Sequence, residues 1–272
     1  MARTATNKGL IDKLKSELRV DDSFDLIARE IEISGKRSCL FFIDGLLKDE
    51  VMEKMMEFFY SVKDEKALKS ANLFAKMCVP YVEVDVTKDM DKLITAILSG
   101  TLAFVVEGFE KAILIDSRTY PQRETAEPEK DKAIRGSKDG FVETLISNTA
   151  LIRRRIRTPQ FTIKAFNAGS LSRTDIAVCY LENKVDKKLL EDICNRIENI
   201  DTEDLTMNKE SFTEQIYKNK WYNPFPKVKY TERPDTAASA VYDGNIVIIV
   251  DNSPSAIILP TSIFDILEEV ED

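Results

Sequence analysis

The sequence predicts an α/β fold: two similar small α/β subdomains with mixed sheets, joined by a polar linker and a helix. Three observations predict it. Strand-like and helix-like apolar patterns alternate along the chain. A block before the middle of the chain recurs near its end. Between the two copies lies a stretch with two prolines and almost no apolar residues. The expected layout is an N-terminal α/β subdomain over residues 1–125, a linker with an arginine-ended helix over 126–158, and a second α/β subdomain over 159–272, an internal duplicate of the first.

Each element has its own signal. Residues 9–19 read as a short helix, and "RSCLFFIDG" (37–45) as a buried strand ending in a turn. In "LKDEVMEKMMEFFYSV", Val51, Met55, Phe58 and Phe59 recur at helical spacing, with acids near the start where the helix dipole favours them. "YVEVDV" (81–86) alternates as a strand does, and "KDMDKLITAILSG" is a helix closed by Gly100. Two apolar runs around a polar turn make 102–115 a hairpin. The segment from 116 to 137 reads as linker. The pattern then restarts: a strand and turn over 175–183, the amphipathic "VDKKLLEDICNRIENI", a shorter helix ending in Gly244, and a hairpin over 246–259.

The repeat is explicit. Residues 95–115 align without a gap on 239–259 at an offset of 144, with identities at Ala96/Ala240, Gly100/Gly244, Val106/Val250, Ala112/Ala256 and Ile113/Ile257. "LFFIDGLLKDEVMEKM" aligns on "VCYLENKVDKKLLEDI" at an offset of 138. The repeat requires 102–115 and 246–259 to hold the same places in their sheets.

Composition narrows function. The chain has 272 residues, 43% hydrophobic and 32% charged, with a net charge of -8, the profile of a folded domain. The longest apolar run is about "IVIIV" (246–250), far short of a membrane span, and "MARTATNKGLIDKLK" lacks a secretory segment. An intracellular protein, or a soluble piece of something larger, is expected. There is no histidine, which removes Ser-His and Cys-His nucleophiles and most zinc or iron sites. Cys39, Cys78, Cys179 and Cys194 form no C-x-x-C and read as small apolar residues. Neither G-x-x-x-x-G-K-[ST] nor G-x-G-x-x-G occurs. Asp44, Glu107 and Asp251 end strands and are each followed by Gly or Asn, which makes them turn residues rather than catalytic ones. No enzyme, catalytic residue, cofactor or metal is expected.

One segment departs from the acidic background. From Arg135 to Arg157 the chain carries six basic and two acidic residues, ending in four arginines within five positions. Ser137 or Asp139 is placed to cap a helix beginning near Lys138, and Thr158 before Pro159 to stop it. Phe141, Leu145, Thr149, Ile152 and Ile156 then share one face, with Asn148 at its edge, either buried and register-setting or exposed. Arg153, Arg154 and Arg157 fall within about a 100° arc while Arg155 points away. A solvated helix end, an acidic protein surface, an anionic membrane and nucleic acid are the readings, nucleic acid being the weakest in so acidic a chain.

"RGSKDGFVETLISNTALIRRRIRTPQF" resembles the signature of the GerA-type spore germination proteins, the A-subunit family of germinant receptors, on Arg135, Gly136, Gly140, Phe141, Glu143, Asn148, Leu151, Ile152, Arg153, Arg154, Arg155 and Ile156. "FIDGL", "FVVEGFEKAILIDSR", "YTERPD" and the segment after Asp243 resemble the family too, while Ser137 replaces its usual proline. The resemblance implies the N-terminal region of a longer membrane protein, on the cytoplasmic (core) side of the spore inner membrane. It implies a homo-oligomer of A subunits, with B and C subunits as partners, acting in receptor assembly, nutrient signalling and ion-channel gating. A small-molecule germinant, held in the cleft between the two lobes, is the alternative. Nucleic acid is not among the expected partners. The residues proposed for the partner interface are Arg135, Asn148, Arg153, Arg154, Arg155 and Arg157.

Overall fold

The structure is a computed structural model describing residues 9–64, 66–121, 139–200 and 228–260. These divide into two compact units, 9–64 with 66–120 and 157–159, and 121 with 139–156, 160–200 and 228–260. The first contains α1 (Leu10–Leu18), β1 (Leu26–Ile33), β2 (Lys36–Ile43), α2 (Asp49–Ser61), α3 (Ala71–Cys78), β3 (Val84–Thr87), α4 (Met90–Leu98), β4 (Leu102–Val106) and β5 (Ala112–Ile115). The second contains α5 (Leu145–Arg155), β6 (Phe161–Ala168), β7 (Thr174–Leu181), α6 (Lys187–Glu198), β8 (Lys229–Thr231), α7 (Pro234–Tyr242), β9 (Ile246–Val250) and β10 (Ala256–Leu259).

The two sheets repeat one another. Their strand orders are β1-β2-β4-β5-β3 and β6-β7-β9-β10-β8, so the hairpins at 102–115 and 246–259 hold equivalent places. Register repeats as well: Ser38 lies opposite Val106 as Ile176 lies opposite Val250, and Thr87 opposite Ala112 as Thr231 opposite Ala256. Turn hydrogen bonds follow the same offsets. The Glu107 N–H donates to the Arg37 carbonyl (2.8 Å) as the Asp251 N–H does to Asp175 (2.9 Å). Gly100 (φ 97) and Gly244 (φ 98) both end the helix before the hairpin, in a backbone region that L side chains avoid. A Cβ on Gly100 would stand 3.0 Å from Leu46 Cβ, and one on Gly244 3.1 Å from the Lys184 carbonyl oxygen. By the same correspondence α1 and α5 are counterparts. α1 packs on α4 and β4, and α5 on α7, β7 and β9.

The sheets are not mixed as expected. Every pairing among the described strands is antiparallel. The strand–helix–strand step from β3 through α4 to β4 does give two strands of the same sense. However, β5 folds back between them and pairs with both, so no parallel neighbours form. β1, β6 and α3 had no counterpart in the sequence reading. β1 and β6 are edge strands that carry exposed polar residues (Arg29, Glu30, Glu32; Lys164, Asn167), which dilutes their apolar signal.

Helices cover both faces of the first sheet. Leu40, Phe104, Ile113 and Ile115 point into a core with Met55 and Phe59 of α2 and Phe74 of α3. The intervening residues of β4, buried throughout, face α1 and α4. Phe104 stacks on Phe59 (4.4 Å between centroids) and tilts against Phe74 (5.3 Å), a geometry aromatic rings favour. In the second unit the equivalent core is mainly aliphatic, with Val178, Leu190, Ile193, Ile197, Ile248 and Ile257.

An ion network ties α1 to its sheet. Arg37 bonds Glu30 through Nε (3.0 Å) and Nη2 (2.7 Å) and reaches Asp12 (3.1 Å), and Lys15 bonds Glu30 (2.5 Å). The Arg37 and Lys15 hydrogen bonds hold the Glu30 carboxyl at about 2. A depressed carboxyl stabilises the fold above its unfolded value of about 4.3 and stops doing so as pH falls through its folded value. Glu30 is 42% exposed, so screening limits the effect to about 1 kcal/mol or less. Glu30→Gln is therefore expected to lower the urea midpoint slightly at pH 6. That difference from the parent chain should vanish near pH 2 and shrink in high salt, and a deficit independent of both would refute the ionic origin.

Candidate functional site

The arginine helix begins later than the sequence suggests. α5 starts at Leu145, and residues 139–144 are non-helical because tertiary partners take their backbone groups. The Phe141 N–H donates to the Glu232 carbonyl (2.9 Å), and the Asn252 N–H donates to the Glu143 carbonyl (2.8 Å). Asn148 closes the segment: its Oδ1 accepts from the Val142 N–H (2.8 Å) and its Nδ2 donates to the Val142 carbonyl (2.5 Å). Thr144, at the N-cap, makes no side-chain cap bond. Asp251, on the turn between β9 and β10, supplies one instead by accepting from the Leu145 N–H (3.0 Å). Asp139 is not the cap, and Ser137, Lys138 and Arg135 lie outside the described residues. The helix stops at Arg155, three residues before Thr158, with Ile156 in extended geometry.

The expected apolar face is buried: Phe141, Leu145, Thr149, Ile152 and Ile156 are all enclosed, although Phe141 precedes the helix. Asn148 is buried and not exposed. Leu151, Ala150 and Arg153 are buried too, so the helix is enclosed around most of its girth, and Ile146 is its exposed apolar residue.

The four arginines occupy different environments. Arg153 is 0% exposed. Its guanidinium carbon lies 4.4 Å from the Phe161 ring centroid, and Nη2 donates to the Phe161 carbonyl (3.0 Å). Arg155 donates from Nη1 to the Leu151 carbonyl (2.8 Å) and from Nη2 to Asp139 (2.9 Å). The Arg155 carbonyl accepts from the Tyr242 hydroxyl (2.9 Å), which satisfies one helix-terminal group. Arg154 is half-buried and Arg157 exposed. Asp235 sits nearby. Burial works to raise its pKa, but the Arg233 fork (3.1 and 2.6 Å), the Thr236 N–H and the Arg155 charge together hold it below the usual carboxylate range. The structure thus brings Asn148, Arg153 and Arg155 into the fabric of the second unit, with Arg154 half-buried on the same helix, while Arg157 beyond the helix is exposed.

Elsewhere, no group of three or more His, Cys, Asp or Glu able to hold a metal occurs among the described residues. All four cysteines are free, and burial pushes the Cys39 thiol up to about 12. A cavity of about 340 Å³ opens in the first unit between α4 and the β3–β5 pair, lined by Glu83, Val84, Asp85, Ala96, Thr101, Leu114 and Asp116. Lys92 pairs with Asp85 (2.5 Å) and Arg118 with Asp116, and each lowers its partner's pKa. Sequence reasoning missed this site, whose residues come from four separate stretches. No helix among the described residues is long and apolar enough to cross a membrane.

Asn148 carries the sharpest test of this arrangement. Asn148→Ala removes both bonds to the half-buried Val142 backbone and is expected to cost about 1–3 kcal/mol in urea unfolding. Ile146→Ala, on the exposed side of the same helix, is expected to stay within about 0.5 kcal/mol. Equal losses would mean that the Asn148 clamp does not hold the segment.

Comparison with known proteins places this geometry. Residues 12–272 match the family described as Bacillus/Clostridium GerA spore germination protein. The chain is 37% identical over 259 residues to stage V sporulation protein AF of Bacillus subtilis (strain 168), covering 95% of this chain and 52% of that protein. It is 28% identical over 262 residues to spore germination protein KA of the same organism, covering 95% and 48%. The chain thus spans about half the length of these relatives. The fold matches the crystal structure of the N-terminal domain of the A subunit of the Bacillus megaterium spore germinant receptor GerK3, with a TM-score of 0.66, 22% identity and 93% of both chains covered.

Proposed function

The chain belongs to the Bacillus/Clostridium GerA spore germination family, and on that premise we propose that it is the cytoplasmic N-terminal part of a membrane-bound germinant receptor A subunit. In this reading it assembles with further A subunits and with B and C subunits at the spore inner membrane. It passes the nutrient signal to an ion-conducting part of the receptor. The family match and the shared two-unit fold support the reading, as does the twofold greater length of the relatives.

The observation that carries it is the division of labour along α5. Asn148, Arg153 and Arg155 bind groups within the second unit and give the helix a rigid seat. That seat holds Arg154, the remaining arginine of the helix, on a pre-organised backbone, where little entropy is lost on binding, and Arg157 follows just beyond the helix. A partner carboxylate meeting either guanidinium gains a bidentate, charge-assisted bond.

Arg154→Ala and Arg157→Ala in the full-length protein are expected to lower receptor assembly and nutrient-triggered germination several-fold. Normal receptor assembly and normal germination in both variants would remove this reading.

A further inference from the structure

The two units differ at one hairpin. β1 and β2 are joined by the tight pair Ser34 and Gly35, both with positive φ (47° and 78°). The corresponding β6–β7 connection spans five residues, 169–173, between the paired Ala168 and Thr174. Its tip is exposed, and Leu171 is 75% open to solvent. The tip is nevertheless braced. Asn167 Nδ2 donates to the Arg173 carbonyl (2.6 Å) and to Asp175 Oδ1 (3.1 Å), and the Arg173 N–H donates to the Gly169 carbonyl (3.3 Å). A leucine held outward on a fixed turn loses little freedom when it is covered, which is how an interface anchor behaves. Arg173 beside it makes no ion pair among the described residues.

The cavity of the first unit has the complementary character. Val84, Ala96 and Leu114 supply an apolar floor. Of its three rim carboxylates, Asp85 and Asp116 are neutralised by Lys92 and Arg118. Glu83 makes no ion pair among the described residues, and its neighbour Val82 is 96% exposed. An apolar floor with one uncompensated carboxylate fits an apolar anchor flanked by one uncompensated guanidinium.

We infer that the hairpin tip of one copy docks in the first-unit cavity of a second copy, Leu171 on the apolar floor and Arg173 against Glu83. Such a contact is head-to-tail: each chain carries one tip and one socket, so association propagates until a ring closes. The inference deepens the assembly reading above and rests on it, naming the surfaces by which copies of this chain meet.

Sedimentation equilibrium of the 272-residue chain, from about 1 μM to about 1 mM, tests it. The parent chain is expected to self-associate, and Leu171→Ser to weaken association about tenfold or more. Arg173→Glu and Glu83→Arg are each expected to abolish it. Mixing these two variants should restore association with the two in equal numbers, because the intact tip meets the intact socket and the reversed tip meets the reversed socket. All the altered side chains are exposed, and unchanged thermal melting confirms that each variant folds. A parent chain that stays monomeric, single variants that associate like the parent, or a mixture that stays monomeric would overturn the docking. The readout uses no spores. Docking confirmed here alongside normal germination of tip variants would therefore sink the assembly reading alone.

Discussion

The strands of the β4–β5 and β9–β10 hairpins are buried along their whole length, and the rest of each unit is arranged to keep them so. A strand enclosed on both faces needs a layer above and a layer below. In the first unit α2 and α3 provide one and α1 and α4 the other, while in the second α5 and α7 stand where α1 and α4 do. The hairpins also take the interior strand positions, which pushes β3 and β8 to one edge and β1 and β6 to the other. The antiparallel sense follows from the same insertion, since β5 and β10 separate strands that a simple crossover would have set side by side.

The burial of the arginine helix is a consequence of its layer. α5 fills the place that α1 fills in the first unit, against a sheet and beside a helix, and most of its circumference is covered. A guanidinium there has to find partners. Arg153 stacks on Phe161 and bonds that residue's carbonyl, while Arg155 turns back onto its own helix and onto Asp139. Four consecutive-looking charges are therefore not one patch. They comprise a buried strut, a local tie, a half-buried residue and an exposed one, in a chain whose net charge is -8.

Much of the architecture was legible in the residues because it rests on local patterns. The repeat at 95–115 and 239–259, both hairpins, and the helices around Met55 and Ile193 stand out by period and by punctuation at Gly100 and Gly244. The hidden parts depend on partners distant in the chain. The helix boundary moved from Lys138 to Leu145 because Glu232, Asp251 and Asn252 bind the intervening backbone. Asn148 could be placed on a wheel, but its clamp on Val142 depends on a non-helical turn that periodicity does not reveal. Strand sense was misjudged because a strand–helix–strand pattern does not announce the hairpin arm that slips between its ends. The cavity at β3 gathers Glu83, Ala96, Thr101 and Asp116, which no single window of sequence joins.

The bond from the Leu145 N–H to Asp251 joins residues 106 positions apart. An eleven-residue helix is below the length that holds together alone in water, about 12–15 residues. During synthesis from the N-terminus, the first sheet is complete once Ile115 has emerged. α5 is made next, yet the carboxylate that caps it and the hairpin it packs on arrive last. The segment with the arginines therefore waits, unanchored, through most of the second unit's synthesis. The ribosome thus delivers a finished first unit tethered to an unfinished arginine helix, and that order sets the period in which this segment is open to capture by anything acidic nearby.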